Sequence, residues 1–240
     1  MRLLIIGLLL IGCSIENKIE SPTINGDWIF IENPEEITID YFGLKFKNDT
    51  LYTIHDGGLT QEGKFLVNGD TIIVSEFGEK INKTRRIKKL TKDSLILTGG
   101  IFEDKYYSRQ LEFVEKLKFN EIKLTAGKCF GDCPEFNLRI TDSGLIQFKP
   151  INNCKVDKEK TFTIEREKKR KIDSLFQWTY IHKLDTSKVN SAIDDWALGI
   201  EISYGNGQRI VFRTTGSYIP FRLKGIFSLI INDLRERNLI

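Results

Sequence analysis

Two cysteines four positions apart are the side chains best placed for chemistry. In a straight strand Cys129 and Cys133 would lie about 13 Å apart, at roughly 3.3 Å per residue, whereas a disulfide needs Cα atoms about 5.5 Å apart. The segment between them must therefore turn, and Gly131 permits a turn. A redox pair more often has two intervening residues, and two scattered histidines make a poor zinc set. A structural disulfide is the favoured interpretation for an exported protein.

Other residues give little support for catalysis. His55 lies on a predicted turn and His182 follows a predicted helix, and neither adjoins a nucleophile motif such as Gly-x-Ser-x-Gly. Asp194 and Asp195 are a possible carboxylate pair, but adjacent residues on a loop commonly point apart. The sequence contains neither Gly-x-x-x-x-Gly-Lys nor Gly-x-Gly-x-x-Gly, the glycine-rich motifs of phosphate-binding loops. The sequence therefore predicts no catalytic residues, metal or cofactor, although a site assembled only in space stays open.

Five of the six residues from Arg166 to Lys171 are basic. A solvated helix face is the usual origin of such a run. Cations near a helix N-terminus oppose its dipole by about 0.3–1 kcal/mol each, so an anionic lipid or glycan is the partner that would favour them. No nucleic acid is expected, because the net charge of the chain is only +3.

Three hydroxyl residues follow an aspartate and precede an apolar residue: Thr50, Thr71 and Ser94. The pattern resembles the O-glycosylation acceptor of some Gram-negative bacteria, which implies that these three residues are acceptors. Turn residues at the start of a strand are the alternative. Ser174 shares the pattern but lies in a predicted helix.

Residues 1–12 have the pattern of a secretory signal, with an apolar run too short for the roughly 20 residues that span a bilayer. Leu10-Ile11-Gly12-Cys13 resembles the lipobox of bacterial lipoproteins, which implies a diacylglyceryl group on Cys13. Ser14 favours the outer membrane under the enteric sorting rule. Residues 13–23 then form a lipidated cysteine and tether.

Lipidation of Cys13 leaves three cysteines, which is an odd number. Pairing of Cys129 with Cys133 predicts that Cys154 remains reduced. We therefore expect a protein of the cell envelope, held at the membrane through Cys13, with one structural disulfide. Its protein partner, if any, is not predicted.

Residues 24–114 show about eight short apolar runs separated by turns, which predicts an antiparallel meander or small barrel. Asn68-Gly69 marks one hairpin. The motif Gly26-Asp27-Trp28 at the start resembles that of lipocalin-like domains, which implies that Trp28 plugs one end of a barrel. A small filled barrel is favoured over a barrel with a ligand cavity.

From residue 115 the pattern and the charge both change. Residues 14–114 hold 13 basic and 17 acidic side chains, whereas 115–240 hold 22 and 16. Alternating apolar residues predict about five antiparallel strands, and two helices are predicted, at about 165–178 and after Pro220. Residues 115–240 are therefore expected to form an α+β domain.

The turn Cys129-Phe130-Gly131-Asp132-Cys133-Pro134 resembles the Cys-Phe-Gly-x-Cys-Pro signature of an uncharacterised family of bacterial envelope domains. The resemblance covers about 120 residues and implies a fold unit without an established activity. We expect a lipid-anchored envelope protein with a non-catalytic binding or structural role. A lipocalin-like carrier of a small apolar ligand and an envelope enzyme are the alternatives.

The first prediction concerns the anchor. Cys13→Ser should release the protein from membranes, because the acyl chains would supply about 0.8 kcal/mol per buried CH₂. Membrane fractionation measures the release. Mass spectrometry that finds an unmodified mature Cys13 would contradict the prediction.

Overall fold

The structure, a computed structural model, describes residues 23–31, 42–55, 58–76, 82–100, 103–189, 191–192 and 194–240. Cys13, Ser14, the predicted signal and most of the tether lie outside these ranges. No helix within the ranges is both long enough and apolar enough to cross a membrane.

The first eight strands form a closed antiparallel barrel. They are β1 (Gly26–Phe30), β2 (Gly43–Lys47), β3 (Thr50–His55), β4 (Gly58–Asn68), β5 (Thr71–Glu76), β6 (Asn82–Leu90), β7 (Ser94–Thr98) and β8 (Asp104–Ser108). Neighbours in sequence are neighbours in space, and pairing of β1 with β8 closes the ring. The predicted eight-stranded unit is confirmed, and a barrel of this kind is consistent with a lipocalin-like fold.

Alternation along the strands places apolar side chains inside the barrel. Trp28, Phe46, Leu95 and Leu97 are buried there, and the Trp28 indole N–H donates to the carbonyl of Ile24 at 2.7 Å. Strands β1 and β2 approach so closely that a Cβ at Gly43 would lie 2.3 Å from the carbonyl oxygen of Trp28. A glycine is therefore required at position 43. At the predicted hairpin Gly69 has φ +61°, but Asn68 still belongs to β4.

The second unit is a six-stranded antiparallel sheet with two helices. Its elements are β9 (Phe119–Ala126), β10 (Glu135–Thr141), β11 (Leu145–Asn152), β12 (Lys160–Thr163), α1 (Arg166–Phe176), β13 (Ala197–Tyr204), β14 (Gln208–Thr215) and α2 (Phe221–Glu236). The strand order is β12-β11-β10-β9-β13-β14. The sequence prediction of about five strands missed β12, in which only Phe162 is apolar.

Both helices cover the same face of this sheet. Leu223, Ile226, Phe227, Ile230 and Leu234 of α2 recur at helical spacing and are buried in one core with Ile172 and Phe176 of α1 and the inward residues of the strands. Pro220 precedes the first residue of α2, where its missing N–H costs no helical hydrogen bond. On the opposite face of the sheet lie the residues that alternate with the buried ones along each strand, and these are mostly polar and exposed.

A buried carboxylate joins the two units. Glu112, in a short 3₁₀ turn after β8, has no exposed side-chain surface. Its Oε1 accepts hydrogen bonds from the Nε and Nη2 of Arg222 at 3.0 and 2.6 Å and from the hydroxyl of Tyr107 at 2.6 Å. Arg222 lies in the first turn of α2, where the helix dipole also favours an anion.

Apolar contacts surround this ion pair. Phe221 packs against Ile29 and Ile54 on the outside of the barrel, and the ring centroids of Phe113 and Trp178 lie 4.8 Å apart. Burial raises the pKa of Tyr107 well above its ordinary value, so its hydroxyl stays a donor to Glu112 at neutral pH. The boundary near residue 114 thus lies inside a packed interface.

The second prediction tests this interface. Arg222→Met should lower the free energy of unfolding by about 3 kcal/mol, because it leaves the buried Glu112 carboxylate with only the longer contact to Arg109, at 3.7 Å. Arg209→Met is the matched control, since Arg209 pairs with Glu201 on an exposed surface and should lose less than about 1 kcal/mol. Denaturant unfolding measures both. Equal losses in the two variants would contradict the prediction.

Candidate functional site

The turn between β9 and β10 is closed by a disulfide. Cys129 and Cys133 are bonded, with Cα atoms 5.7 Å apart, and Cys129 also bridges to Gly131 through the backbone. The loop begins directly after the last pair of the two strands, Ala126 with Phe136. The structure therefore contains the disulfide that the spacing of the two cysteines predicts.

Phe130 lies in this loop with 89% of its surface exposed. A five-residue disulfide loop restricts its backbone before any partner binds, so little conformational entropy remains to be lost. The side chain contributes nothing to either hydrophobic core. Its position is thus explained by neither packing nor folding.

Trp196, the residue before β13, supports the loop. Its indole N–H donates to the carbonyl of Pro134 at 3.0 Å, and its ring packs edge-on against Phe136. The Asp195 carboxylate accepts from the backbone N–H groups of Trp196 at 2.7 Å and Ser217 at 2.6 Å. Although burial opposes it, these hydrogen bonds hold the pKa of Asp195 below its ordinary value. Asp195 therefore fixes a loop and is not paired with Asp194.

Cys154 lies half-buried beside the disulfide loop. Its Sγ donates to the carbonyl oxygen of Glu135 at 3.2 Å, and Asn153 donates to the carbonyl of Cys133 at 3.4 Å. Burial raises the pKa of the Cys154 thiol above its ordinary value. The residue is a free thiol, as expected from the odd number of cysteines.

On the open face of the sheet, the charged side chains of two neighbouring rows pair with one another. Glu121 accepts from Arg139 and from Lys123, and Glu201 accepts from Lys123 at 3.0 Å and from Arg209 at 2.7 Å. The hydrogen bond from Lys123 lowers the pKa of Glu201. The charges of these two rows, which we call the paired row, are thus largely compensated.

The adjacent row, nearer the disulfide loop, is different. Strand pairing aligns Lys149, Asn137, Thr125, Gly199 and Arg213 across five neighbouring strands. Within the described part of the chain, the four side chains of this row make no hydrogen bond or ion pair. A depression of about 280 Å³ lies over its β9–β11 part and extends to the paired row, with Glu159 at the rim. We call Lys149, Asn137, Thr125, Gly199 and Arg213 the unpaired row.

Sequence reasoning did not find this row, because its members are far apart in the chain and lie together only through strand register. The sequence signal for this row was the set of polar residues that alternate with the apolar residues along each strand. The histidines, by contrast, are not brought together: His55 hydrogen-bonds Thr60 on the barrel at 2.7 Å, whereas His182 packs edge-on against Tyr180 after α1. Within the described ranges, no group of three or more His, Cys, Asp or Glu side chains is arranged to hold a metal.

The three proposed glycan acceptors lie at the first residues of β3, β5 and β7. Thr50 is buried, and its hydroxyl donates to Asp49 and accepts from Lys64. Thr71, which is half-buried, donates to Asp70, and Ser94 is also half-buried. Thr50 is therefore the least accessible of the three.

Two of the five cations in the basic run have partners inside the domain. Lys168 bridges the buried Asp233, at 2.7 Å, and Glu236, and these two bonds raise its pKa. Lys169 pairs with Asp173 at 2.6 Å. Arg166, Arg170 and Lys171 are exposed and, among the described residues, have no side-chain partner.

Comparison with known proteins bears on the second unit alone. Residues 120–232 match the model of a family described as a domain of unknown function (DUF6438). The match lies within the domain predicted at 115–240 and is consistent with it. No curated protein and no solved structure matches the chain.

The third prediction concerns the cysteines. Cys154 should react with iodoacetamide at pH 8 more slowly in the native protein than in the urea-unfolded protein with its disulfide intact, because a raised pKa leaves less thiolate. Quenched alkylation followed by mass spectrometry measures both rates. Peptide mapping without reduction should recover the Cys129–Cys133 linkage. A native linkage from Cys154 to either partner would refute the assignment.

Proposed function

We propose that this protein is a lipid-anchored component of the cell envelope with a non-catalytic binding role. The binding surface is the disulfide loop, together with the adjoining end of the open sheet face. The anchor is the diacylglyceryl group on Cys13, with the outer membrane as its location. The barrel acts as a rigid spacer between the tether and the binding surface.

The exposure of Phe130 carries the proposal. Single apolar residues on a surface are common and need no explanation, but this ring is almost fully exposed on a loop that a covalent bond closes. Aromatic side chains, phenylalanine among them, are enriched at protein interfaces relative to the rest of the surface. Mounting the ring on a short disulfide loop removes much of the entropic cost of binding. A role in binding accounts for features that packing does not.

A carrier of a small apolar ligand is the second candidate. The observation that favours it is an open cleft of about 560 Å³ at the end of the barrel where the chain enters. Ile24, Phe65, Val67, Ile87 and Leu90 give this cleft apolar walls. The described inward side chains pack against one another, however, so the cleft lies at the end of the barrel and not along its axis.

The three exposed cations of α1 support a further contact with anionic lipid or glycan. Arg166, Arg170 and Lys171 have no side-chain partner among the described residues, and Arg166, in the first turn of α1, also opposes the helix dipole. An anionic surface near the anchor would offset that cost. This contact is separate from the disulfide loop.

The fourth prediction tests the binding surface. A photoreactive amino acid at position 130 of the full chain, in its native envelope, should give a discrete crosslinked species. The same group at position 66 of the barrel should not, although Leu66 is 63% exposed. Gel mobility and mass spectrometry measure the products.

A variant separates binding from folding in this experiment. Phe130→Ser should leave the melting temperature unchanged, because the ring packs in neither core, and should abolish crosslinks from a probe at Lys128. Identical products from positions 130 and 66 would overturn the proposal.

A further inference from the structure

The unpaired row is a second feature of this surface that stability does not explain. Its neighbour shows that the sheet can pair charges across strands, since Glu121 and Glu201 each bind two cations. The unpaired row places Lys149 and Arg213 at opposite ends without any acidic partner. Between them lie an amide, a hydroxyl and a glycine.

The dimensions of the row restrict what can lie along it. Five adjacent strands give four steps of about 4.8 Å, so the two cations lie about 19 Å apart at their backbones. A chain running across the strands meets one side chain at each step. This spacing is comparable to the repeat of pyranose rings in an extended oligosaccharide.

The chemistry of the row also favours a sugar. Asn137 supplies a donor and an acceptor, and Thr125 supplies a hydroxyl that can do either, which suits a ligand rich in hydroxyl groups. The depression is bordered by the cation Lys149 and by Glu159, whose carboxylate accepts hydroxyl protons but repels a simple anion. A peptide, by contrast, would be expected to pair with an edge strand, β12 or β14, and not to cross the face of the sheet.

Gly199 leaves room at the centre of the row. A Cβ there would make only ordinary contacts, 3.6 Å from the Cβ of Thr125, and its φ is not in the left-handed region. The fold therefore does not require glycine at this position. Its absent side chain keeps the floor between Thr125 and Arg213 low.

We propose that the unpaired row binds an acidic oligosaccharide lying across the sheet, with its carboxylates at Lys149 and Arg213 and its hydroxyls on Asn137 and Thr125. This inference rests on the proposed binding function and names the ligand class for the same surface. Phe130, on the loop that joins β9 to β10, lies at the end of two of the five strands that the row crosses.

The fifth prediction uses the full mature chain and calorimetric titration with three probes: a short oligogalacturonate, a neutral cello-oligosaccharide of equal length and a poly-glutamate of equal charge. The oligogalacturonate should bind in a salt-sensitive manner, and the other two should bind at least about tenfold more weakly. Lys149→Glu and Gly199→Glu should each weaken binding by about tenfold to a hundredfold, the scale of one charge-assisted hydrogen bond.

Lys92→Glu is the matched control, because it makes the same charge change at an exposed lysine between β6 and β7 of the barrel, away from the sheet and from α1. Its affinity for oligogalacturonate should stay within about twofold of the parent protein. Melting curves check that each variant folds, and Lys149→Gln replaces Lys149→Glu if the latter does not. No oligogalacturonate binding, or a loss in Lys92→Glu instead of Lys149→Glu, would overturn the inference.

The outcomes separate this inference from the proposed function. If poly-glutamate bound more tightly than oligogalacturonate and this binding were lost in Lys149→Glu, the binding function would stand and the oligosaccharide ligand class would be refuted. If the photoreactive group at position 130 gave no crosslinked species and none of the three probes bound, the binding role itself would be refuted.

Discussion

The ion pair of Glu112 with Arg222 is the interaction on which the arrangement of the molecule depends. A carboxylate with no exposed surface must have its charge compensated, because removing it from water costs several kcal/mol. Arg109 of the same unit contacts it at 3.7 Å, but the shorter ion pair, at 2.6 Å, comes from the other unit, through Arg222 at the start of α2. The barrel and the sheet are therefore joined by a contact with defined geometry, where two bonds from one guanidinium fix the orientation. A binding surface on the sheet then keeps a constant direction relative to the end of the barrel where the chain enters.

A similar logic explains much of the basic run in α1. Cations in the first turns of a helix oppose its dipole, yet Lys168 lies against Asp233, a carboxylate with 1% exposure near the end of α2. Asp233 also accepts from Arg237 at 2.8 Å. Lys168, near the N-terminus of α1, and Asp233, near the C-terminus of α2, each oppose the dipole of their own helix, and the ion pair between them offsets both effects. Within the basic run, the cations without a side-chain partner among the described residues are Arg166, Arg170 and Lys171.

The sequence predicted the elements that depend on local pattern and missed those that depend on register. Eight strands in the barrel, the two helices and the disulfide all follow from alternation, helical spacing or the four-residue separation of two cysteines. Strand β12 was missed because an edge strand with one apolar residue has almost no alternation. The interface around Glu112 was also missed, since Arg222 lies 110 residues away and no local pattern connects them. Of the candidate site, the loop with Phe130 was visible and the unpaired row was not.

The lack of partners in the unpaired row costs the folded protein little, because exposed polar groups hydrogen-bond with water as well in the native state as in the unfolded state. Stability therefore neither produces nor removes such a row. A single substitution would pair this row, since an acidic residue at position 199 would lie between Thr125 and Arg213. Glu201, two residues further along the same strand, lies beside Lys123 in this way and forms an ion pair with it. A glycine there preserves both the charge of Arg213 and the space above Thr125. The loop that follows Thr125 is meanwhile closed by a disulfide that stabilises a five-residue loop by only about 2 kcal/mol, so its main effect is to hold the Phe130 turn. The row and the loop are consistent with one requirement, a preformed surface at this end of the sheet.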